Sequence, residues 1–154
     1  MELTELALAD LCCLNNAHAV ETSHLAEPEL ARLLSIAFYA RGYAGPAAFL
    51  IAFDQNAPYV NQNFQFFHQR FEQFVYIDRV ITASYARRRG LARKLYEDLF
   101  VRARAAGQST VGCEVNMDPP NEISDAFHAS LGFKKVGRGR LNNGKAVRYL
   151  QLAL

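Results

Sequence analysis

Apolar positions along the 154-residue chain change period several times, and each change marks an element. From about Leu8 to Val20 the spacing of Leu8, Leu11, Cys12 and Leu14 predicts a helix, preceded by a short strand in the first seven residues. A second helix is expected near Pro28, a residue suited to a first helical turn, and carries Leu30, Leu33, Leu34 and Ala37. Phe38 to Gly42 and Ala47 to Phe53 read as a hairpin turned at Gly42-Tyr43-Ala44-Gly45-Pro46. A polar and aromatic connection follows from Asp54 to Gln73. Connections of that length tend to be functional or partly helical. Phe64, Phe67, Phe71 and Phe74 recur in it at helical spacing, either as a core stripe or as an aromatic lid.

Phe74 to Thr82, rich in Val, Ile, Phe and Tyr, reads as a strand crossing a sheet. Leu91, Leu95, Leu99 and Ala103 then repeat every fourth residue, predicting a helix to Ala106 that stops at Gly107. Thr110 to Val115 is another strand. Asn121 caps a short helix ending at Gly132, and strands near Phe133–Val136 and Ala146–Leu152 close the chain around Asn142-Asn143-Gly144. This order specifies a mixed α/β fold of the α+β type: one domain over 1–154 with a largely antiparallel sheet flanked by helices.

Composition narrows the class. Hydrophobic residues are 51% and charged residues 21% of the chain, the balance of a protein with a real core. No apolar run approaches the roughly 20 residues that span a bilayer. Cys12, Cys13 and Cys113 cannot all pair and form no CxxC, so a reducing, cytoplasmic setting and no zinc site are expected. The net charge of +2 points to neither nucleic acid nor a membrane surface. The cations are clustered, however: Arg87, Arg88, Arg89, Arg93 and Lys94 surround Gly90 between the strongest strand and the helix after it.

A helix start offers unpaired N–H groups and the positive end of its dipole, and Gly90 with Ala92 lets an anion approach the backbone. The expected ligand carries several negative charges close together, such as a pyrophosphate. The Lys-Ser/Thr of a P-loop and the third glycine of a dinucleotide fingerprint are both missing. Arg87-Arg88-Arg89-Gly90-Leu91-Ala92 has the form Arg-x-x-Gly-x-Gly/Ala and resembles the acyl-CoA signature of the GNAT family of N-acetyltransferases. Downstream, Asn121-Glu122-Ile123-Ser124-Asp125-Ala126-Phe127-His128-Ala129-Ser130-Leu131-Gly132-Phe133 is similar to that family's next signature. The resemblance covers roughly the second half of the chain.

The resemblance implies acetyl-CoA as cosubstrate, with no metal, and direct transfer to an amine without an acyl-enzyme. Cofactor contacts would come from Val80, Ile81 and Thr82, from Arg87, Arg88, Arg89, Gly90, Leu91, Ala92 and Arg93, and from Asn121, Ser124 and Phe127. His128 would lie near the sulfur, where family members often carry Tyr as a general acid; packing in the core is the other reading. Amine attack needs a base. Tyr76 and Asp78 match the two places where the family often puts it, and Asp78 is the favoured candidate. Strict alternation would point Asp78 and Arg79 to opposite faces and keep them from neutralising one another. A structural ion pair with a different arginine is the competing reading.

The acceptor would be a small-molecule amine or a peptide, entering past Asn15, Asn16, His18, Glu21 and the segment 59–74, with Glu21 or Glu72 available to a cationic group. Cys113 has no Cys–His constellation for covalent catalysis. A non-catalytic acyl-CoA-binding module is the alternative function. The closing strand, if it lay at a sheet edge, would allow a homodimer.

Overall fold

The computed structural model describes residues 1–3, 6–18 and 23–154. The elements are α1 (Leu8–Ala17), α2 (Glu27–Ile36), β1 (Tyr39–Tyr43), β2 (Ala48–Asp54), α3 (Gln62–His68), β3 (Val75–Thr82), α4 (Leu91–Ala105), β4 (Thr110–Asn116), α5 (Glu122–Ser130), β5 (Lys134–Arg140) and β6 (Ala146–Ala153). The six strands form one sheet in the order β1-β2-β3-β4-β6-β5. All neighbours are antiparallel except β3 and β4. This is the α+β architecture that the apolar pattern specifies. No helix among the described residues is long and apolar enough to cross a membrane.

Local chemistry sets the boundaries. Pro28 sits in the first turn of α2, where its missing N–H costs nothing. Asn61 caps α3 by accepting from the Asn63 and Phe64 N–H groups, and Asn121 caps α5 through the Ser124 N–H. The stripe of phenylalanines is core: Phe64, Phe67 and Phe74 are at most 1% exposed, each contributing about 1.5–3 kcal/mol by burial. They do not lie on one helix, because α3 ends at His68. Gly112 lets the Phe67 ring lie flat on β4; a Cβ there would meet that ring at 2.3 Å.

Several expectations are corrected. Glu2 makes only an isolated bridge to Arg41 rather than an N-terminal strand; Thr4 and Glu5 lie outside the described residues. Ala37 is extended and ends α2 instead of joining it. α1 stops at Ala17, and Val20 lies outside the described residues. The closing strand β6 lies inside the sheet between β4 and β5, so both its edges are taken and the proposed route to a dimer is closed.

The alternation along β3 also fails at the residue where it mattered. Ile51 pairs with Arg79 but Ala52 pairs with Ile77, so Asp78 is an extra residue, a β-bulge. A bulge re-aims side chains and resets the phase beyond it. Asp78 and Arg79 therefore meet instead of diverging, with Asp78 Oδ2 accepting from Arg79 Nε at 3.0 Å.

Candidate active site

β3 and β4 pair only at Val75–Val111 and Tyr76–Gly112. Beyond those residues the strands part, and a cleft of about 730 Å³ opens between them. It runs from the turn at Arg87–Arg93, along Val80–Thr82, to Glu114 on β4 and to Asn121, Ser124, Phe127 and His128 on α5. The residues expected to hold a cofactor thus line one continuous space.

The turn at its outer end combines N–H groups that have no backbone partner among the described residues with a cluster of arginines. Arg88 has φ 65° and Gly90 φ 71°, so left-handed residues aim successive N–H groups outward. Gly90 caps α4 without a side-chain hydrogen bond. Among the described residues, no backbone carbonyl accepts from the N–H groups of Arg88 to Arg93. The glycine is required by its φ and not by space, since nothing lies within 4 Å of a Cβ at position 90. Arg93 is turned aside: Nη2 donates to Ser130 Oγ at 2.6 Å, and its guanidinium lies over Phe127. Its backbone stays in the turn while its charge steadies α5.

At the inner end two carboxylates face different environments. The Asp78 side chain is 3% exposed; Oδ1 accepts from the Tyr59 hydroxyl at 2.7 Å and Oδ2 from Arg79. Arg79 also donates to Asn15 Oδ1 at 2.7 Å and to the Ser23 carbonyl and hydroxyl. Glu114 accepts from the Tyr76 hydroxyl at 2.7 Å through Oε2, and no cation pairs with it among the described residues. Burial first, and then the nearby Asp78 charge, outweigh the Tyr76 hydrogen bond and push its pKa up to about 8. Burial holds the Tyr76 phenol well above its usual range.

His128 is 4% exposed, and both ring nitrogens are engaged. Nδ1 lies 2.7 Å from the Ser124 carbonyl, and Nε2 lies 2.8 Å from the Tyr96 hydroxyl. A carbonyl only accepts, so Nδ1 carries the hydrogen and Nε2 accepts from Tyr96. Burial lowers the imidazole pKa and favours this neutral ring.

On the acceptor side, Asn15 is buried in the Arg79 network. Asn16 is held to Leu25 through both ends of its amide. His18 lines the cleft. Glu72 lines a separate hollow with His68 and Arg70, and Glu21 lies outside the described residues. Cys113 is buried in the cleft wall with its thiol pushed well up. Among the described residues no His, Cys, Asp or Glu cluster could hold a metal ion. The residue that sequence reasoning missed is Glu114. Its signal was present: it is the lone acid in the strand Thr110-Val111-Gly112-Cys113-Glu114-Val115-Asn116, and the argument applied to Asp78 applies equally to it.

Residues 46–133, more than half of the chain, match the Acetyltransferase (GNAT) family, and the protein belongs to it. No curated protein matches by sequence. Solved structures share the fold. The ribosomal-protein-alanine N-acetyltransferase from Brucella melitensis superposes with a TM-score of 0.71 at 19% identity, covering 100% of this chain and 98% of that one. The ribosomal-protein-S18-alanine N-acetyltransferase from Escherichia coli gives 0.66 at 21%, covering 99% and 90%. A chain of the NatC complex bound to Gag peptide and CoA gives 0.68 at 18%, covering 96% and 90%.

Proposed function

We propose that residues 1–154 act as one acyltransferase unit that moves the acetyl group of acetyl-CoA onto a primary amine, a small molecule or a peptide N-terminus. The reaction is a direct attack in a ternary complex. The observation that carries this reading is the parting of β3 and β4 into a cleft with an anion turn at one end and an uncompensated carboxylate, Glu114, at the other. The fold is shared with a chain of a complex bound to peptide and CoA, which supports a peptide-sized acceptor.

The cosubstrate supplies an activated acyl carbon and a thiolate leaving group. In this reading the N–H groups from Arg88 to Arg93, with the Arg87, Arg88 and Arg89 side chains, hold its pyrophosphate. Val80, Ile81 and Thr82 offer backbone groups on the open edge of β3 to its extended arm. Asn121, Ser124 and Phe127 close the opposite wall. Glu114 takes the proton from the amine nitrogen as the C–N bond forms and the C–S bond breaks, because a carboxyl that titrates near neutrality suits a general base. Tyr76 orients Glu114. Asp78, tied up by Arg79 and Tyr59, raises the proton affinity of Glu114 instead of taking the proton itself. His128 holds the Tyr96 hydroxyl beside the cleft. The free cysteines suit a reducing compartment such as the cytoplasm.

A panel of small amines and peptides with acetyl-CoA, read by free-thiol release, tests the function. Release that depends on the amine is the expected result. Binding of acetyl-CoA without release for any amine would instead indicate a non-catalytic acyl-CoA-binding module.

A further inference from the structure

Arg79 ties together more of the chain than its pairing with Asp78 requires. All three guanidinium nitrogens donate: Nε to Asp78 Oδ2 at 3.0 Å, Nη1 to Asn15 Oδ1 at 2.7 Å and the Ser23 carbonyl at 3.2 Å, and Nη2 to the Ser23 hydroxyl at 3.1 Å. The side chain is 5% exposed, and Ser23 and Asn15 lie 56 and 64 residues away in the sequence. A buried ion pair adds little net stability, because desolvating both ions offsets their attraction. What a rigid, planar fork of donors adds is direction, since it admits its partners in one geometry.

What it orients is the end of α1. Asn15 Nδ2 donates to the Ser23 carbonyl at 2.8 Å and to Asn16 Oδ1 at 3.0 Å, and the Asn16 amide holds the Leu25 carbonyl and N–H at 3.0 and 2.9 Å. The last turn of α1 and the chain entering α2 thus form one hydrogen-bonded block. His18 belongs to it, because its N–H donates to the Asn15 carbonyl at 3.0 Å. His18 lines the cleft together with Asp78, Arg79 and Glu114. Asp78 carries the constraint to a further segment: its Oδ1 accepts from Tyr59, whose ring lies against Phe53 and Phe64. The bulge makes the arrangement possible by bringing Asp78 and Arg79 together, where strict alternation would separate them. Three stretches remote in sequence are therefore held to one guanidinium on the side of the cleft that carries Glu114.

Resting on the acyltransfer reading above, we propose that Arg79 is a positioning residue for the acceptor: through Asn15 and Ser23 its guanidinium fixes the end of α1, and His18 with it, against the bulge of β3, so that the acceptor meets a preformed wall beside Glu114. Arg79 acts through these partners and takes no part in the proton transfer. An acceptor that must order this wall as it binds loses affinity in the ground and transition states alike, which raises KM and spares kcat. The anion turn and the open edge at Val80–Thr82 are separate from the block, so the KM for acetyl-CoA stays where it is.

The test is steady-state thiol release with acetyl-CoA and one good acceptor, varying each in turn, for wild type, Arg79→Lys and Asn15→Asp. Lysine keeps the charge beside Asp78 but is a point donor that cannot hold Asp78, Asn15 and Ser23 in one plane. Aspartate at position 15 still accepts from Arg79 but has no N–H for the Ser23 carbonyl, so it cuts the block while leaving the guanidinium partnered. Each variant is expected to raise the acceptor KM about tenfold, with kcat and the KM for acetyl-CoA within about threefold of wild type. Melting curves with and without CoA check that both fold and keep the coenzyme site; Asn15→Asp decides alone if the lysine variant does not fold. A structural role alone lowers the active fraction, and so kcat, without moving KM; that pattern overturns the proposal. So does a wild-type acceptor KM in either folded variant, or a KM for acetyl-CoA that rises in step with that for the acceptor. Wild-type protein that releases no thiol with any amine overturns the acyltransfer reading and this one with it, whereas release with an unmoved acceptor KM in the variants overturns this one alone.

Discussion

The Tyr76 hydroxyl donates to Glu114 Oε2 at 2.7 Å, joining β3 to β4 just where their backbone pairing ends. A side-chain bond thus takes over from the ladder at the point where the strands must part. The same bond fixes the carboxylate that faces the cleft. Asp78, on the bulge two residues along, is neutralised by Arg79 while Glu114 is not.

This division of labour predicts how Asp78→Asn behaves. The substitution strands a buried guanidinium and should cost about 3–5 kcal/mol of stability, read by denaturant unfolding. It also removes a negative charge near Glu114, so the rise of activity with pH should move to lower pH. Activity above that rise should stay within about tenfold of wild type. A loss of about 10²-fold or more at every pH would instead make Asp78 the base.

The anion turn predicts a ligand effect on stability. At 100 times its dissociation constant, CoA should add about 2.7 kcal/mol to unfolding. Gly90→Asp places a side chain at φ 71°, costing about 1–2 kcal/mol in the free protein, and adds a negative charge to the turn. Both it and Arg89→Glu should abolish the stabilisation by CoA in a thermal-shift titration.

Two buried groups, Glu114 and His128, contribute to the pH dependence of folding on either side of neutrality. Glu114 is pushed up in the native state, so the native protein keeps a proton that the unfolded chain releases between its ordinary value of 4.5 and about 8. Stability contributed by this site therefore falls as pH rises through that window. Glu114→Gln should flatten that part of a melting-temperature profile.

His128 is lowered, so the unfolded chain binds a proton that the native ring refuses. Its contribution is lost as pH falls below 6.5. His128→Phe should remove this acid-side loss. It should also cost about 1–3 kcal/mol at neutral pH by leaving the buried Tyr96 hydroxyl unpaired.

Much of this was legible in the residues alone. The repeat of Leu91, Leu95, Leu99 and Ala103 places α4, and all four are buried. Gly90 with its arginines marks the anion turn, because helix starts and glycine make backbone N–H groups available whatever the rest of the fold does. The bulge was not legible: alternation is a local rule, and the extra residue at Asp78 is set by the β2 register. Glu114 is visible in the sequence as the lone acid of β4, but what leaves it uncompensated and facing the cleft is the parting of the strands beside it, a tertiary event that no spacing within β4 encodes. The place of β6 inside the sheet was hidden for the same reason, since strand order is not written in sequence order.

The most direct test of the account is the pH dependence of kcat/KM for thiol release with a single good acceptor, compared between wild type and Glu114→Gln. In the proposed mechanism the carboxylate form is the active one, so the wild-type rate should rise with pH through an apparent pKa near the 8 of Glu114. The variant should lose about 10²–10⁴-fold and the rise with it, while still binding acetyl-CoA. A variant that keeps both the rate and the inflection would contradict the assignment of Glu114 as the proton acceptor.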